Sequence, residues 1–154
     1  PSRRNAEWQR IMAATVLRKR LDAILADDPQ ADIIMLGDFN DEPQNVAIEK
    51  FLGAARDRAA LADGSLYNTT AYKGSYVYDN RWEVIDHIIV SPGLLDERGY
   101  RWKEGSSRVV DFPEVFFHPR WKDAIPRPSK SYAQTRFHKD GYSDHLAVIC
   151  ILED

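Results

Sequence analysis

Apolar positions near the start of the chain recur at helical steps. Trp8, Ile11, Ala14, Leu17, Leu21 and Ile24 follow one another at intervals of three and four, with mostly polar residues between them. This spacing predicts an amphipathic helix over residues 5–27. Asn5 is a residue type suited to the N-cap. Asp28-Pro29 ends the helix, because proline disfavours helical backbone in the residue before it. Residues 33–36, Ile-Ile-Met-Leu, are apolar without alternation, which predicts a strand covered on both faces. That run leads directly into Gly37-Asp38-Phe39-Asn40-Asp41-Glu42-Pro43. Residues 44–52 predict a short helix with Pro43 in its first turn, and Asp41 and Glu42 would suit the dipole at its start.

Residues 75–78 and 82–91 predict two strands joined by a turn at Asp79-Asn80. In the second strand the period of two places Trp82, Val84, Asp86, Ile88 and Val90 on one face. Glu83, Ile85, His87 and Ile89 share the other, so His87 points away from Asp86 and reads as structural. Pro92-Gly93 stops the strand, and residues 108–112 predict another. Prolines 113, 119, 126 and 128 then break all periodicity, giving a long irregular segment up to Lys139. Residues 146–152 predict a closing buried strand. Short strands, two helical segments and irregular loops make an α+β layered fold, and 154 residues fit one domain with a real core.

Composition narrows the function. Apolar content of 44% with 29% charged residues is that of a soluble globular chain, cytoplasmic or secreted. No apolar run approaches the roughly 20 residues that a transmembrane helix needs. The single cysteine, Cys150, forms no internal disulfide, reads as a small buried hydrophobe, and leaves the compartment open. A net charge of -3 argues against a protein held to nucleic acid by bulk electrostatics alone. The charge is uneven, however: residues 118–140 carry six Lys/Arg against two acids. That segment is either a solvated loop or a basic rim around an anionic substrate. The opening "PSRRNAEWQR" has neither Met nor signal-peptide architecture and reads as a fragment or a processed product.

Three acids have unusual positions. Asp38 leaves one predicted apolar strand, Asp86 lies within a second, and Asp144 precedes a third. A carboxylate beside an apolar strand is costly without a partner or a cation. If the strands are neighbours, three carboxylates, Asn40 and His145 meet at one sheet edge, an environment suited to Mg²⁺. His145 then has a carboxylate to fix its tautomer. Each residue also has a structural reading. Asp38 and Asn40 are turn formers, Asp86 could pair with an arginine, Asp144 could cap a loop, and His145 could be a hydrogen-bonded structural histidine. The joint placement at strand ends favours chemistry. His118 and His138 lie in the irregular segment, with His138 the one near enough in sequence to contact substrate. Trp121, Tyr132, Phe137 and Tyr142 either line a substrate groove or anchor the loop.

Read together in order, "GDFND", "VIDHIIVS" and "GYSDHLAV" resemble the later motifs of the endonuclease/exonuclease/phosphatase superfamily, the deoxyribonuclease I-like fold. The resemblance runs from the first helix to Ile151. It implies a two-sheet, four-layer α/β sandwich with the site at one edge, and hydrolysis of a phosphate ester with Mg²⁺ or Mn²⁺. By the same resemblance Asp38 activates the attacking water, Asn40 holds a phosphate oxygen, and Asp144 is a metal-linked carboxylate. His145 contacts the scissile phosphate and Asp86 orients it. Ala147 stands where the family often has proline. Family members extend much further on the N-terminal side, so the chain reads as the C-terminal portion of one domain, accompanied by an N-terminal fragment of the same protein. The substrate class stays open between nucleic acid and another phosphodiester or monoester of a lipid or sugar. A non-catalytic binding module and an inert truncated half are the alternatives to an enzyme.

Overall fold

The computed structural model describes residues 3–61, 65–133, 136–137 and 140–154; the side chains of residues 3–5, 60, 132–133 and 136–137 lie outside that description. Helix α1 spans Arg3–Asp27. It is followed by β1 (Ile34–Asp38), a π-helical turn (Ala47–Leu52), β2 (Ala54–Ala55), β3 (Leu66–Asn68), β4 (Tyr76–Tyr78), β5 (Arg81–Glu83) and β6 (Asp86–Val90). Short strands complete the chain: β7 (Arg101–Trp102), β8 (Arg108–Val109), β9 (Phe116–Phe117), β10 (Arg127–Pro128), β11 (Tyr132–Ala133), β12 (Arg136–Phe137), β13 (Val148–Ile149) and β14 (Leu152–Glu153). One helix over several small sheets is the α+β arrangement that the pattern predicts.

The centre is a four-stranded sheet in the order β1-β6-β3-β2. β6 is buried along its whole length, and its alternation divides the core as expected. Ile89 packs with Ala14 and Leu21 of α1 and with Ile48 and Leu52 of the π turn. Val90 faces the other way, against Leu94 and Trp102. The hairpin turn at Asp79-Asn80 is also as expected: both residues have positive φ, at 46° and 58°. That conformation matches the right-handed twist of the strands it joins.

Several expectations need correction. Helix α1 starts at Arg3, so Asn5 lies inside it and is no cap; Arg3 and Arg4 are good helix formers and extend the turn. Trp8 leaves the buried face and is 62% exposed, in a second apolar stripe with Met12 and Val16. Pro43 and Gln44 form a turn rather than a first helical turn, and the π-helical segment is Ala47–Leu52. Gly53, at φ 73°, closes it in a left-handed conformation that glycine adopts without steric cost. Strand β1 is the sheet's edge, and Leu36 is 59% exposed rather than covered. The second layer reaches only as far as Ile34 along this strand.

The run 82–91 is two strands, not one. Between them the Val84 N–H donates to Glu42 Oε1 at 3.0 Å, and the Ile85 carbonyl accepts from Phe39 N–H at 2.8 Å. The chain thus leaves the hairpin and joins β1. The expected strand at 108–112 shortens to β8. The closing run splits in two, with β13 on β8 and β14 on β7. It is not buried throughout, since Ile149, Ile151 and Leu152 remain substantially exposed. The Pro113–Lys139 region contains short 3-10 and β pieces; His138 lies outside the described residues. No helix among the described residues is long and apolar enough to cross a membrane.

Burial separates two neighbours on facing strands. Ile89→Val removes one methylene from a fully buried site and is expected to cost about 1 kcal/mol. Leu36→Ser, at an exposed position, is expected to stay within about 0.5 kcal/mol of the parent. Urea unfolding midpoints of the two variants check the contrast; a larger loss for the Leu36 variant would place that side chain in a packed environment.

Candidate active site

The β1–β6 ladder sets the site. Its antiparallel register runs from Ile34 opposite Val90 to Asp38 opposite Asp86. Two carboxylates therefore face each other at the end of the sheet. His145 arrives from a separate segment, held by an antiparallel bridge to Tyr76 and by the Leu146 N–H donating to the Ser75 carbonyl at 2.7 Å. Tyr76 also stacks on the imidazole, with ring centroids 4.7 Å apart. The result is one cluster: ligating atoms of Asp38, Asp86 and His145 all lie within 4.8 Å of one another.

Each member has a distinct environment. Asp86 is buried, and its Oδ2 accepts from Ser75 Oγ and, at 2.7 Å, from His145 Nδ1–H. The Tyr72 hydroxyl donates to the Asp86 carbonyl. Burial raises the pKa of that hydroxyl, with the Asp86 charge adding to the effect. The hydrogen bond to Asp86 raises the His145 pKa above its ordinary 6.5, burial opposes it, and the charges of Asp86, Asp38 and Asp144 add to the rise. With Nδ1 engaged, Nε2 is the nitrogen left to meet a ligand. Asp38 is exposed and shapes its own loop: Oδ1 accepts from Asn40 N–H at 2.7 Å, and Oδ2 accepts from Asn40 Nδ2–H at 3.1 Å. Asn40 adopts a positive φ of 51°, a conformation that asparagine tolerates better than most residues.

A buried polar group supports this loop from below. His87 has no exposed surface; its Nε2–H donates to the Asp41 carbonyl at 2.7 Å, and Nδ1 accepts from Asn68 Nδ2 at 3.1 Å. The edge of Phe39 packs against the ring. Asp41 is buried as well, bonded by Asn45 and paired with Arg10 of α1 at 3.2 Å. Asp41 therefore anchors the loop to α1, rather than merely complementing a following helix dipole. His87 is structural, as its face predicts. Burial pushes its pKa down, opposed by the hydrogen bond to Asp41 and the charges of Asp86, Glu42 and Asp41.

Of the residues singled out from sequence, Asp38, Asp86 and His145 come together and Asn40 joins them through Asp38. Asp144 is half-buried beside His145 but is not part of the cluster of ligating atoms. Ser75, Tyr76 and Tyr72 were not anticipated. Serine and tyrosine ahead of a hairpin carry no local signal, and only the fold brings them to Asp86. In the basic segment Arg127 turns inward, bonding Asn80 Oδ1 at 3.0 Å and stacking 4.9 Å over Trp121. Trp121 thus anchors the loop, whereas Tyr142 is 82% exposed. The side chains of Tyr132 and Phe137 lie outside the description. His118 is exposed.

The sequence model of the Endonuclease/Exonuclease/phosphatase family matches residues 2–154. The chain belongs to this family. Its members' hydrolytic phosphoester and nuclease-type chemistry is consistent with an acidic cluster holding a histidine. No curated protein and no solved structure matches the chain.

The pKa values of the two imidazoles should be displaced in opposite directions, His87 below 6.5 and His145 above it. For His87 the folded pKa lies below the unfolded one, so its stabilising contribution is present above pH 6.5 and is lost as pH falls toward the folded value. For His145 the folded pKa lies above, so its contribution is complete below pH 6.5 and is lost as pH rises through the folded value. Side-chain NMR titration in metal-free buffer checks both signs. Two imidazoles titrating together near 6.5 would contradict the environments described.

Proposed function

We propose that the chain carries the water-activating and phosphate-binding edge of a divalent-metal-dependent phosphodiesterase. The convergence of Asp38, Asp86 and His145 at the end of the β1–β6 ladder is the observation that carries this reading. A phosphodiester repels an anionic nucleophile, so the site must both activate water and offset negative charge. Asp38, exposed at the strand end, is the base. Its hydrogen bonds from Asn40 hold the carboxylate in place, and the Asn40 amide is poised to meet a phosphoryl oxygen. Asp86 fixes the His145 ring, and the protonated imidazole offers Nε2–H to the charge that builds on the phosphoryl group.

The donor set fits Mg²⁺ or Mn²⁺, hard cations that take carboxylate oxygens and keep several waters. Asp86 is already engaged by His145 and Ser75. Asp144 makes no ion pair or hydrogen bond among the described residues, so it is the carboxylate that would hold the ion, leaving Asp38 as the base. A bound cation neutralises phosphate charge and polarises the P–O bond.

A further polypeptide segment of the same protein is also part of this proposal, with the 154 residues forming the C-terminal portion of one sandwich domain. The exposed stripe of Trp8, Met12 and Val16 on α1, with Leu36 on the edge strand, supports it. Unpaired edges and apolar patches of this kind promote association. The chain by itself should self-associate in sedimentation velocity runs. A cooperatively folded monomer would count against a missing cover.

Turnover is best tested in the full-length parent, with bis-p-nitrophenyl phosphate and Mg²⁺. Asp38→Asn or His145→Ala should lower kcat by about 10²–10⁴-fold, the Asp38 variant with little change in unfolding midpoint and the His145 variant with a loss of stability at low pH that reports its bond to Asp86. EDTA should abolish turnover and Mg²⁺ restore it. Near-normal rates in either variant would remove that residue from the chemistry.

A further inference from the structure

A second concavity lies beside the acidic cluster. It encloses about 580 Å³, within the range of about 300–1,000 Å³ typical of small-molecule sites. Its wall is largely apolar and aromatic, built from Tyr72, Trp82, Val109, Phe116 and Leu146. Trp82 and Phe116 meet edge to face, with centroids 6.3 Å apart and planes at 84°. Trp82 lies so close to the chain at Gly74 that a Cβ there would come within 2.8 Å of the Trp82 Cβ. Gly74 also has φ +155°, so this approach needs glycine twice over.

The charges around this cavity are lopsided. Lys73 and Arg108 line it, against Asp111 alone. Neither Lys73 nor Arg108 has an acidic partner among the described residues. A smaller concavity of about 240 Å³ near Trp102 shows the contrast. There Arg101 and Lys103 pair with Glu153, and Arg58 pairs with Glu104, so the charges satisfy one another. The larger cavity keeps unneutralised cations over an aromatic wall. None of Asp38, Asn40, Asp86, Asp144 and His145 lines it, yet Gly74 and Leu146 are the sequence neighbours of Ser75 and His145.

We propose that this cavity binds a small anion carrying a flat apolar group. The apolar group packs against the wall that Trp82 and Phe116 form, and the anionic end meets Lys73 and Arg108. Such a group is either the organic part of the substrate or a separate ligand held next to the catalytic histidine. The proposal is independent of the hydrolytic reading, because binding is measurable without metal or turnover.

The probe is naphthalene-1-sulfonate, titrated calorimetrically into the protein in EDTA. Saturable one-site binding is expected, with an affinity at least about tenfold above that of the uncharged 1-naphthalenemethanol. Ala71→Trp, at the exposed rim, should abolish binding by filling the cavity. Lys73→Glu with Arg108→Glu should weaken it about tenfold or more while leaving the unfolding midpoint near that of the parent. Asp38→Asn should bind like the parent, which separates failure here from failure of the catalytic assignments. In the active full-length protein, competitive inhibition by the probe would identify the cavity with the substrate's organic group, and non-competitive inhibition with a separate ligand. Absence of saturable binding, or binding indifferent to both the filling and the charge-reversal variants, overturns the proposal.

Discussion

The last rung of the β1–β6 ladder is the constraint on which the site depends. It sets Asp38 across from Asp86, and like charges directly opposite on a sheet are destabilising. The register cannot relieve this by slipping one residue. A slip would move Ile89 off the α1 face and turn His87 out of its buried polar pocket. The sheet therefore holds two acids together, and the surroundings must supply positive charge and donors. His145 and Ser75 do so at Asp86, while Asp38 takes both of its hydrogen bonds from Asn40 and stays exposed. One acid is satisfied and buried; the other is left accessible. That asymmetry divides their roles: a carboxylate spent on a histidine orients it, and a carboxylate open to solvent can take a proton.

The loop that holds Asp38 is fixed from beneath. The carbonyl of Asp41 is tied to β6 through His87, and its side chain is tied to α1 through Arg10. Strand, loop and helix thus meet at one residue whose backbone and side chain serve different partners. His87 lies on β6 and His145 arrives from a separate segment, and their pKa values move apart because one is enclosed and the other sits against a carboxylate.

Much of this was legible in the residues. The period of two along β6 separates Asp86 from His87 correctly, and Asp79-Asn80 marks the hairpin turn. The motifs around Asp38, Asp86 and His145 identify the family. Other features depend on tertiary context. The run 82–91 looks like one strand because nothing local records that Glu42 and Phe39 draw the chain aside at Val84–Ile85. The closing run looks buried because hydropathy does not tell which strand it pairs with, and here it is shared between β8 and β7. Ser75 and Tyr76 reach the site only through the hairpin, from positions with no chemical signature of their own. Asp144 is adjacent in sequence to a residue of the cluster, but it sits in a bend whose geometry the residue pattern does not announce.

Alternation along β1 explains why chemistry and exposed apolar surface share one side of the molecule. β1 is both the strand that delivers Asp38 and the uncovered edge that carries Leu36. An edge strand leaves its terminal carboxylate open to a ligand, which a central strand such as β6 does not. The cost is an unpaired row of backbone groups and an apolar side chain facing solvent. A segment covering Leu36 along this edge would remove that cost while leaving the strand end open. It would also lower the local dielectric around Asp38 and His145 and strengthen the electrostatic interactions there. Covering the apolar edge and sharpening the electrostatics of the cluster would then be one physical event.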